Sequence, residues 1–254
     1  MKFCRIGHGG LLCFNKKGFA GERRCAYGGV MLVLGLDTAL QRCSVAIIRG
    51  DEVLADESVG MERGHAERLA PMAAAALAKA GVSIGDLSRV GVVVGPGGFT
   101  GVRVALSFAR GLGVGTGIPV VGVTSLAALA APHWAQELVA PVIDARRGQV
   151  YAALYGRGGE IILPPFVSEP KEALKKLQDK AADRSVRVLG SGARLLGPAP
   201  AGWSVSEARE EIDARIVALL AAKAPAPDGP PAPLYLRAPD AKPGKPGLFD
   251  GAAR

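Results

Sequence analysis

An apolar strand that ends in an aspartate, turns over a few polar residues and returns as a second strand occurs twice in this chain. Leu34-Gly-Leu-Asp37 leads into a returning strand at Ser44 to Ile48, and Pro141-Val-Ile-Asp144 leads into one at Val150 to Tyr155. A repeated opening of this kind restricts the fold more than any composition figure, because it demands two like sheets rather than one large one.

The rest of the pattern follows the same order in each half. Short apolar runs predict strands near 32–37, 42–49 and 52–59, a helix over 65–80, a strand at 90–94, a helix over 101–113, a strand at 119–123 and a short helix from Ser125. In the second half the strands fall near 139–144, 149–155 and 160–163, followed by a helix from Pro170, a strand at 186–190 and a helix from Ile212 to Ala222. Strands alternating with helices give an α/β class. The expected division is a first module over 31–133 and a second over 134–224.

The two ends read differently. Residues 1–30 lack hydrophobic periodicity yet carry Lys2, Arg5, Lys16, Lys17, Arg23 and Arg24 against Glu22, or +5 of the formal net charge of +8. Basicity thus belongs mainly to an N-terminal extension, read as disordered or as an upstream start, and charge alone does not establish nucleic-acid contact by the folded body. Cys4, Cys13 and Cys25 sit in that extension without the close pairs of a structural zinc site, and Cys43 reads as a small buried hydrophobe. At the other end, residues 225–254 hold eight of the 18 prolines. That density excludes helix and central strand, so an extended tail is expected, with Leu234-Tyr-Leu-Arg237 as its anchoring segment and Arg237 reaching solvent or a carboxylate. No stretch approaches a membrane span or a signal-peptide core, which sets a cytoplasmic location as the expectation.

Three places carry candidate chemistry. Asp37 and Thr38 end the first strand and Asp144 ends its counterpart. A carboxylate there suits a magnesium-associated water and a hydroxyl suits phosphate, while the plain alternative is an Asp turn bonded to nearby amides. Gly95-Pro-Gly-Gly-Phe-Thr-Gly-Val-Arg103 joins a strand to a helix, with Gly97 and Gly101 open to unusual backbone angles and Thr100 placed to cap the helix. This is neither a dinucleotide fingerprint nor a P-loop, so it defines a tight junction, with anion binding as the lesser reading. Leu189-Gly-Ser-Gly192 is a third glycine turn. His8, His65 and His133 stand apart, with no spacing that would share a metal.

The glycine junction closely resembles the GPGSFTGVR signature of the TsaB family, with Gly98 where Ser is usual. Matching segments follow in family order: Leu36-Asp-Thr38 with Cys43-Ser-Val-Ala46, Arg63-x-His65 with Leu69-x-Pro71, and Gly122-Val-x-Ser125-Leu126. Ile143-Asp-Ala-Arg146 with Val150-Tyr151 and the late Tyr235-Leu-Arg237 complete them. The resemblance covers residues 31 to about 237 and omits both ends. It implies two tandem actin-like, RNase H-like modules of the actin, hexokinase and Hsp70 superfamily. In that setting Asp37, Thr38, Gly97, Thr100 and Asp144 would be remnants of a nucleotide cleft.

It also implies a non-catalytic subunit that assembles with a TsaD-like catalytic paralogue and a TsaE-like ATPase to place a threonylcarbamoyl group on adenosine 37 of tRNA. ATP, ADP or magnesium would then belong to the whole complex, tRNA would be met through it, and no catalytic or metal residue is expected in this chain. The partner surface implied lies on the two helices near 65–80 and 101–113, through His65, Leu69, Met72, Ala74, Leu77, Ala78, Arg103, Leu106 and Leu112. A homodimer is the alternative use of that surface, and coverage of the chain's own sheet is the plain one. The competing functions are a small-molecule kinase on the same fold, which needs a catalytic base and an intact phosphate cleft, and a peptidase, which needs a metal set or an activated nucleophile.

Overall fold

The computed structural model describes residues 6–7, 10–11, 30–135, 138–206 and 211–237. The extension before Val30 therefore lies outside the described residues, save a backbone pairing of Ile6–Gly7 with Gly10–Leu11. Cys4, Cys13, Cys25, His8 and the tail beyond Arg237 also lie outside them.

The first sheet is built on Leu32–Asp37 (β1), apolar up to its terminal aspartate and buried along its whole length, as a central strand covered on both faces must be. It pairs antiparallel with Arg42–Arg49 (β2), which pairs antiparallel with Glu52–Gly60 (β3). On its other side β1 runs parallel to Arg89–Gly95 (β4), and β4 to Val120–Thr124 (β5). The second sheet repeats the order strand for strand. Leu138–Arg146 (β6) pairs antiparallel with Gln149–Gly156 (β7), which pairs with Ile161–Ser168 (β8), while β6 runs parallel to Val186–Leu189 (β9) and β9 to Ser204–Val205 (β10). The duplicated opening in the sequence thus becomes a duplicated sheet, with the two aspartates at equivalent strand ends.

Helices fill three layers. His65–Ala80 (α1) buries Leu69, Met72, Ala73 and Ala76, and Phe99–Thr116 (α2) buries Gly101, Val102, Ala105, Leu106 and Ala109. Spacings of three and four residues bring these side chains to one stripe of each helix, which covers one face of the first sheet. Gly81 ends α1 in the left-handed conformation, its N–H returning to the Ala78 carbonyl. Pro170–Ala181 (α4) covers the far face of the second sheet through Ala173 and Leu177. Between the sheets lie Ser125–Ala130 (α3) and Ala214–Lys223 (α5), in a shared core that joins Val33, Val93, Leu126, Val139, Ile143, Tyr155, Val217 and Ala221.

Helix α5 follows the second sheet in sequence but packs against the first, a crossing that the expected division at 134–224 does not anticipate. The reason is a notch. Gly35 and Gly91 face each other in the β1–β4 register, and a Cβ on Gly91 would come within 2.6 Å of the Ala221 Cβ and 2.9 Å of the Val217 carbonyl. A Cβ on Gly35 would run into the Ala214 carbonyl. Two paired glycines therefore let the helix backbone approach the sheet. Arg89 closes the far end by donating to the Ala221 carbonyl at 2.9 Å.

The tail behaves as expected up to a point. Residues 225–237 form no helix or strand, but Leu234 N–H donates to the Val94 carbonyl at 2.8 Å, at the end of β4. Among the described residues no helix is long and apolar enough to cross a membrane.

Candidate functional site

The two sheets present matching turns to each other. Asp37 Oδ1 accepts the Ala39 N–H at 2.8 Å, and Asp144 Oδ1 accepts the Arg146 N–H at 2.7 Å. Each turn is met by a glycine segment leaving the next parallel strand. Gly95 (φ +102°) and Gly190 (φ +97°) both take a backbone angle that side chains avoid. Gly98 N–H then reaches the Ala39 carbonyl at 2.7 Å, and Gly192 N–H reaches the Val142 carbonyl at 2.9 Å. A cleft of about 1190 Å³ opens between the paired turns.

The residues expected in that cleft divide. Gly97 and Asp144 line it. Asp37 does not: it is fully buried, and burial, only partly offset by the Ala39 N–H and by Arg42, raises its carboxyl to about 7. Thr38 is also fully buried, its hydroxyl donating to the Gly101 carbonyl at 2.6 Å. Thr100 is not the helix cap. Gly98 holds that position without a side-chain bond, so Thr100 lies in the first turn of α2 and faces outward. Gly97 and Gly101 have ordinary φ angles. What requires glycine there is close approach, since a Cβ would strike the Ala39 carbonyl at Gly97 and the Thr38 carbonyl at Gly101.

The cleft carries a charge pattern that the aspartates had not suggested. Its described lining brings Arg42, Arg103, Arg146, Arg147, Arg194 and Arg237 together with only two carboxylates, Asp144 and Glu211. Arg146 belongs to the Ile143-Asp-Ala-Arg146 segment, whose spacing alone does not show that five other arginines line the same cleft. The tail crosses the mouth. Tyr235 stacks on Phe99 with ring centroids 5.7 Å apart, Arg103 lies 3.4 Å over the Phe99 ring, and its Nε donates to Tyr235 Oη at 2.6 Å. Arg237 then bonds to Gln149 Oε1 at 2.6 Å and to the Arg146 carbonyl at 3.3 Å, so its partners are an amide and a backbone oxygen, not the solvent or carboxylate expected.

The helix pair shows a second feature, a groove of about 460 Å³ between α1 and α2 that includes Ala66, Ala70, Thr100, Val104 and Phe108. Of the residues expected to face a partner, Leu69, Met72 and Leu106 are turned into the chain's own core, and Leu77 and Leu112 are packed partly against it. Ala74, Ala78 and Arg103 are exposed. His65 is the first residue of α1, and burial lowers its imidazole's affinity for a proton. Among the described residues no group of three His, Cys, Asp or Glu side chains comes together as a metal set.

Two like mixed sheets, each with two antiparallel and two parallel strand pairings, around a shared cleft make this an α/β protein of the actin-like ATPase fold. Comparison with known proteins narrows the class. The family model described as TsaD, tRNA N6-adenosine threonylcarbamoyltransferase, matches residues 59–195. The tRNA threonylcarbamoyladenosine biosynthesis protein TsaB of Bacillus subtilis is 35% identical over 170 residues, covering 65% of this chain and 73% of that protein. An uncharacterized protein of Mycobacterium tuberculosis is 37% identical over 217 residues, 84% of this chain and 95% of its own. A crystal structure from Pseudomonas aeruginosa, described as similar to peptidase YeaZ, superposes with a TM-score of 0.69 at 28% identity, covering 82% of this chain and all of that one. The chain belongs to the TsaB family.

Proposed function

We propose that this chain is a non-catalytic subunit of the machinery that forms threonylcarbamoyladenosine on tRNA, working in the cytoplasm by assembly with a TsaD-like catalytic paralogue and a TsaE-like ATPase. Family membership supports a role in that pathway. The observation that carries the assembly reading is the outer face of α1. There Ala66, Ala70, Ala74 and Ala78 follow one another at four-residue intervals, all exposed, beside the groove to α2. Side chains this small let a partner's helix backbone come close, and such a face buries apolar area only when something lies on it. The stretch matched by the TsaD family model includes both helices, so a related chain would carry a comparable face of its own.

The proposed docking surface is therefore Ala74, Ala78, Arg103 and the exposed rim around them, with His65, Leu77 and Leu112 at its margins. Leu69, Met72 and Leu106 support it from beneath. A second copy of this chain is the competing occupant.

The test is reconstitution. Threonylcarbamoyl transfer to tRNA is measured with the TsaD-like and TsaE-like proteins, with and without this chain, and with this chain alone. Transfer that needs all three and is absent from the chain alone is the expected result. Undiminished transfer when the chain is omitted, or transfer by the chain alone, overturns the reading.

A further inference from the structure

We infer that the segment from Pro231 to Arg237 is a releasable clasp between the two sheets, and that Phe99 and Arg103 link its closure to occupancy of the groove between α1 and α2. The inference rests on the assembly reading for what fills that groove. Where the segment is held is the first ground. The Pro231 carbonyl accepts from Arg110 Nε at 2.9 Å, Leu234 N–H reaches the Val94 carbonyl at 2.8 Å, and Tyr235 meets Phe99 and Arg103. All of these partners lie on β4, α2 or the junction between them. Arg237 crosses to the other sheet, donating to Gln149 Oε1 at 2.6 Å and to the Arg146 carbonyl at 3.3 Å, where β6 turns into β7. The shared core already joins the sheets beneath the cleft, and the segment adds a second tie across its mouth. One packed region leaves the opening angle free to vary about it, whereas two separate ties restrict that angle.

The second tie is built to let go. Its far end is one guanidinium bonded to a side-chain amide and a backbone carbonyl. At its near end Phe99 is 59% exposed and Tyr235 48% exposed, so water competes for the contacts that hold them. The two states are therefore a segment bonded to Gln149 and Arg146 and a segment free of them.

The second ground is that Phe99 and Arg103 line both hollows, the cleft on one side and the α1/α2 groove on the other. Arg103 lies 3.4 Å over the Phe99 ring and 5.4 Å from the Tyr235 ring centroid, and it donates to the Tyr235 hydroxyl. A partner helix seated in the groove takes water off Phe99 and Arg103. A cation over an aromatic ring is held more strongly once water is removed, which keeps Arg103 in the position that bonds Tyr235. Seating the partner thus closes the clasp. A closed clasp favours seating by the same factor, because a coupling free energy acts equally in both directions.

The test uses the full chain and the TsaD-like protein, with affinity measured by titration calorimetry and hydrogen exchange followed at the Leu234 amide. Arg237→Ala and Gln149→Ala remove the same bond from its two sides. Each variant should stay folded by thermal melt and bind at least about fivefold more weakly, and the double variant no more weakly than either alone. Partner binding should slow exchange at Leu234 in the parent and do so less in the variants. Lys175→Ala, an exposed change on α4 at the far face of the second sheet, should leave the affinity as it was. A loss with Arg237→Ala but not with Gln149→Ala means that Arg237 touches the partner directly, and it overturns the clasp. Parent-like affinity in both variants, or Leu234 exchange indifferent to the partner, overturns it as well. A parent chain that does not bind the TsaD-like protein overturns the assembly reading and the link with it, so the two failures are told apart.

Discussion

Asp37 and Asp144 make the same hydrogen bond at the same end of two like sheets, yet Asp37 has no exposed surface while Asp144 opens onto the cleft. The difference lies in what covers each turn. The glycine junction presses Gly101 against Thr38 and Gly97 against Ala39, sealing the first turn, whereas the second is left partly open beside Ser191. Asp37 Oδ2 consequently has no hydrogen-bond partner among the described residues.

A pH dependence follows. The Asp37 carboxyl titrates at about 7 in the folded chain against 3.8 unfolded, because burial penalises the charge. A raised pKa means that the folded state holds the proton more tightly. Its stabilising contribution is full below pH 4, falls as pH rises towards 7 and is gone above it. Asp37→Asn, which keeps an acceptor for the Ala39 N–H, should melt close to the parent at pH 4 and above it at pH 8. The difference is expected to reach a few kcal/mol. A constant gap between pH 4 and 8 in paired thermal melts would contradict the assignment.

The seat of α5 gives a packing test. Gly91→Ala places a methyl group 2.6 Å from the Ala221 Cβ, and Gly35→Ala meets the helix backbone at Ala214. Each should cost about 2–4 kcal/mol by forcing helix and sheet apart. Gly111→Ala, in the interior of α2 with nothing near its Cβ, should stabilise by about 0.5–1 kcal/mol. Denaturant unfolding of the three variants decides, and a tolerant Gly91→Ala would mean the helix seats elsewhere.

Much of this fold could be read in the sequence because burial and periodicity coincide. The runs at 32–37, 42–49 and 65–80 became elements with the same limits, since β1 is apolar up to its terminal Asp37 and α1 repeats its buried residues every three or four positions. What could not be read depends on contacts between distant segments. The 214, 217, 218, 221 stripe announces an apolar helix face but not which sheet it meets. Gly35 and Gly91 held that information, but only once paired across strands. Likewise Asp37 looks like a cleft carboxylate by its place at a strand end, and the residue that locks its turn shut lies 63 positions beyond Thr38, at Gly101. Arginines 42, 146, 194 and 237 converge only through the fold.

The strap over the cleft mouth should loosen when its two ring and cation contacts are removed. Tyr235→Ala deletes the stack on Phe99 and the bond from Arg103, and Arg237→Ala deletes the bonds to Gln149. These contacts are largely exposed, so the double variant should lose only about 1–2 kcal/mol of global stability. Hydrogen exchange at the Leu234 amide, bonded to the Val94 carbonyl, should nevertheless accelerate well beyond that of the sheet amides. Unchanged protection at Leu234 would show that the proline segment before it holds the strap unaided.

Partner docking on α1 can be separated from folding because the two proposed contact residues point away from the core. Ala74 and Ala78 are exposed, whereas Ala73 and Ala76 beside them are buried against the first sheet. Arginine at either exposed position should change the melting behaviour by less than about 0.5 kcal/mol, as surface substitutions on a helix usually do. On a face where a partner helix must approach closely, the same side chain adds bulk and a charge that loses its water, a combination expected to weaken association by at least tenfold. Ala73→Arg serves as the contrasting variant and should unfold the chain. Affinity for the TsaD-like protein, measured by titration, and the monomer to dimer equilibrium of the free chain, measured by sedimentation, then report on the two proposed occupants. Loss of the first with an intact fold supports docking of the related subunit here. Loss of the second alone assigns the face to self-association, and folded variants that keep both place the interface on another surface.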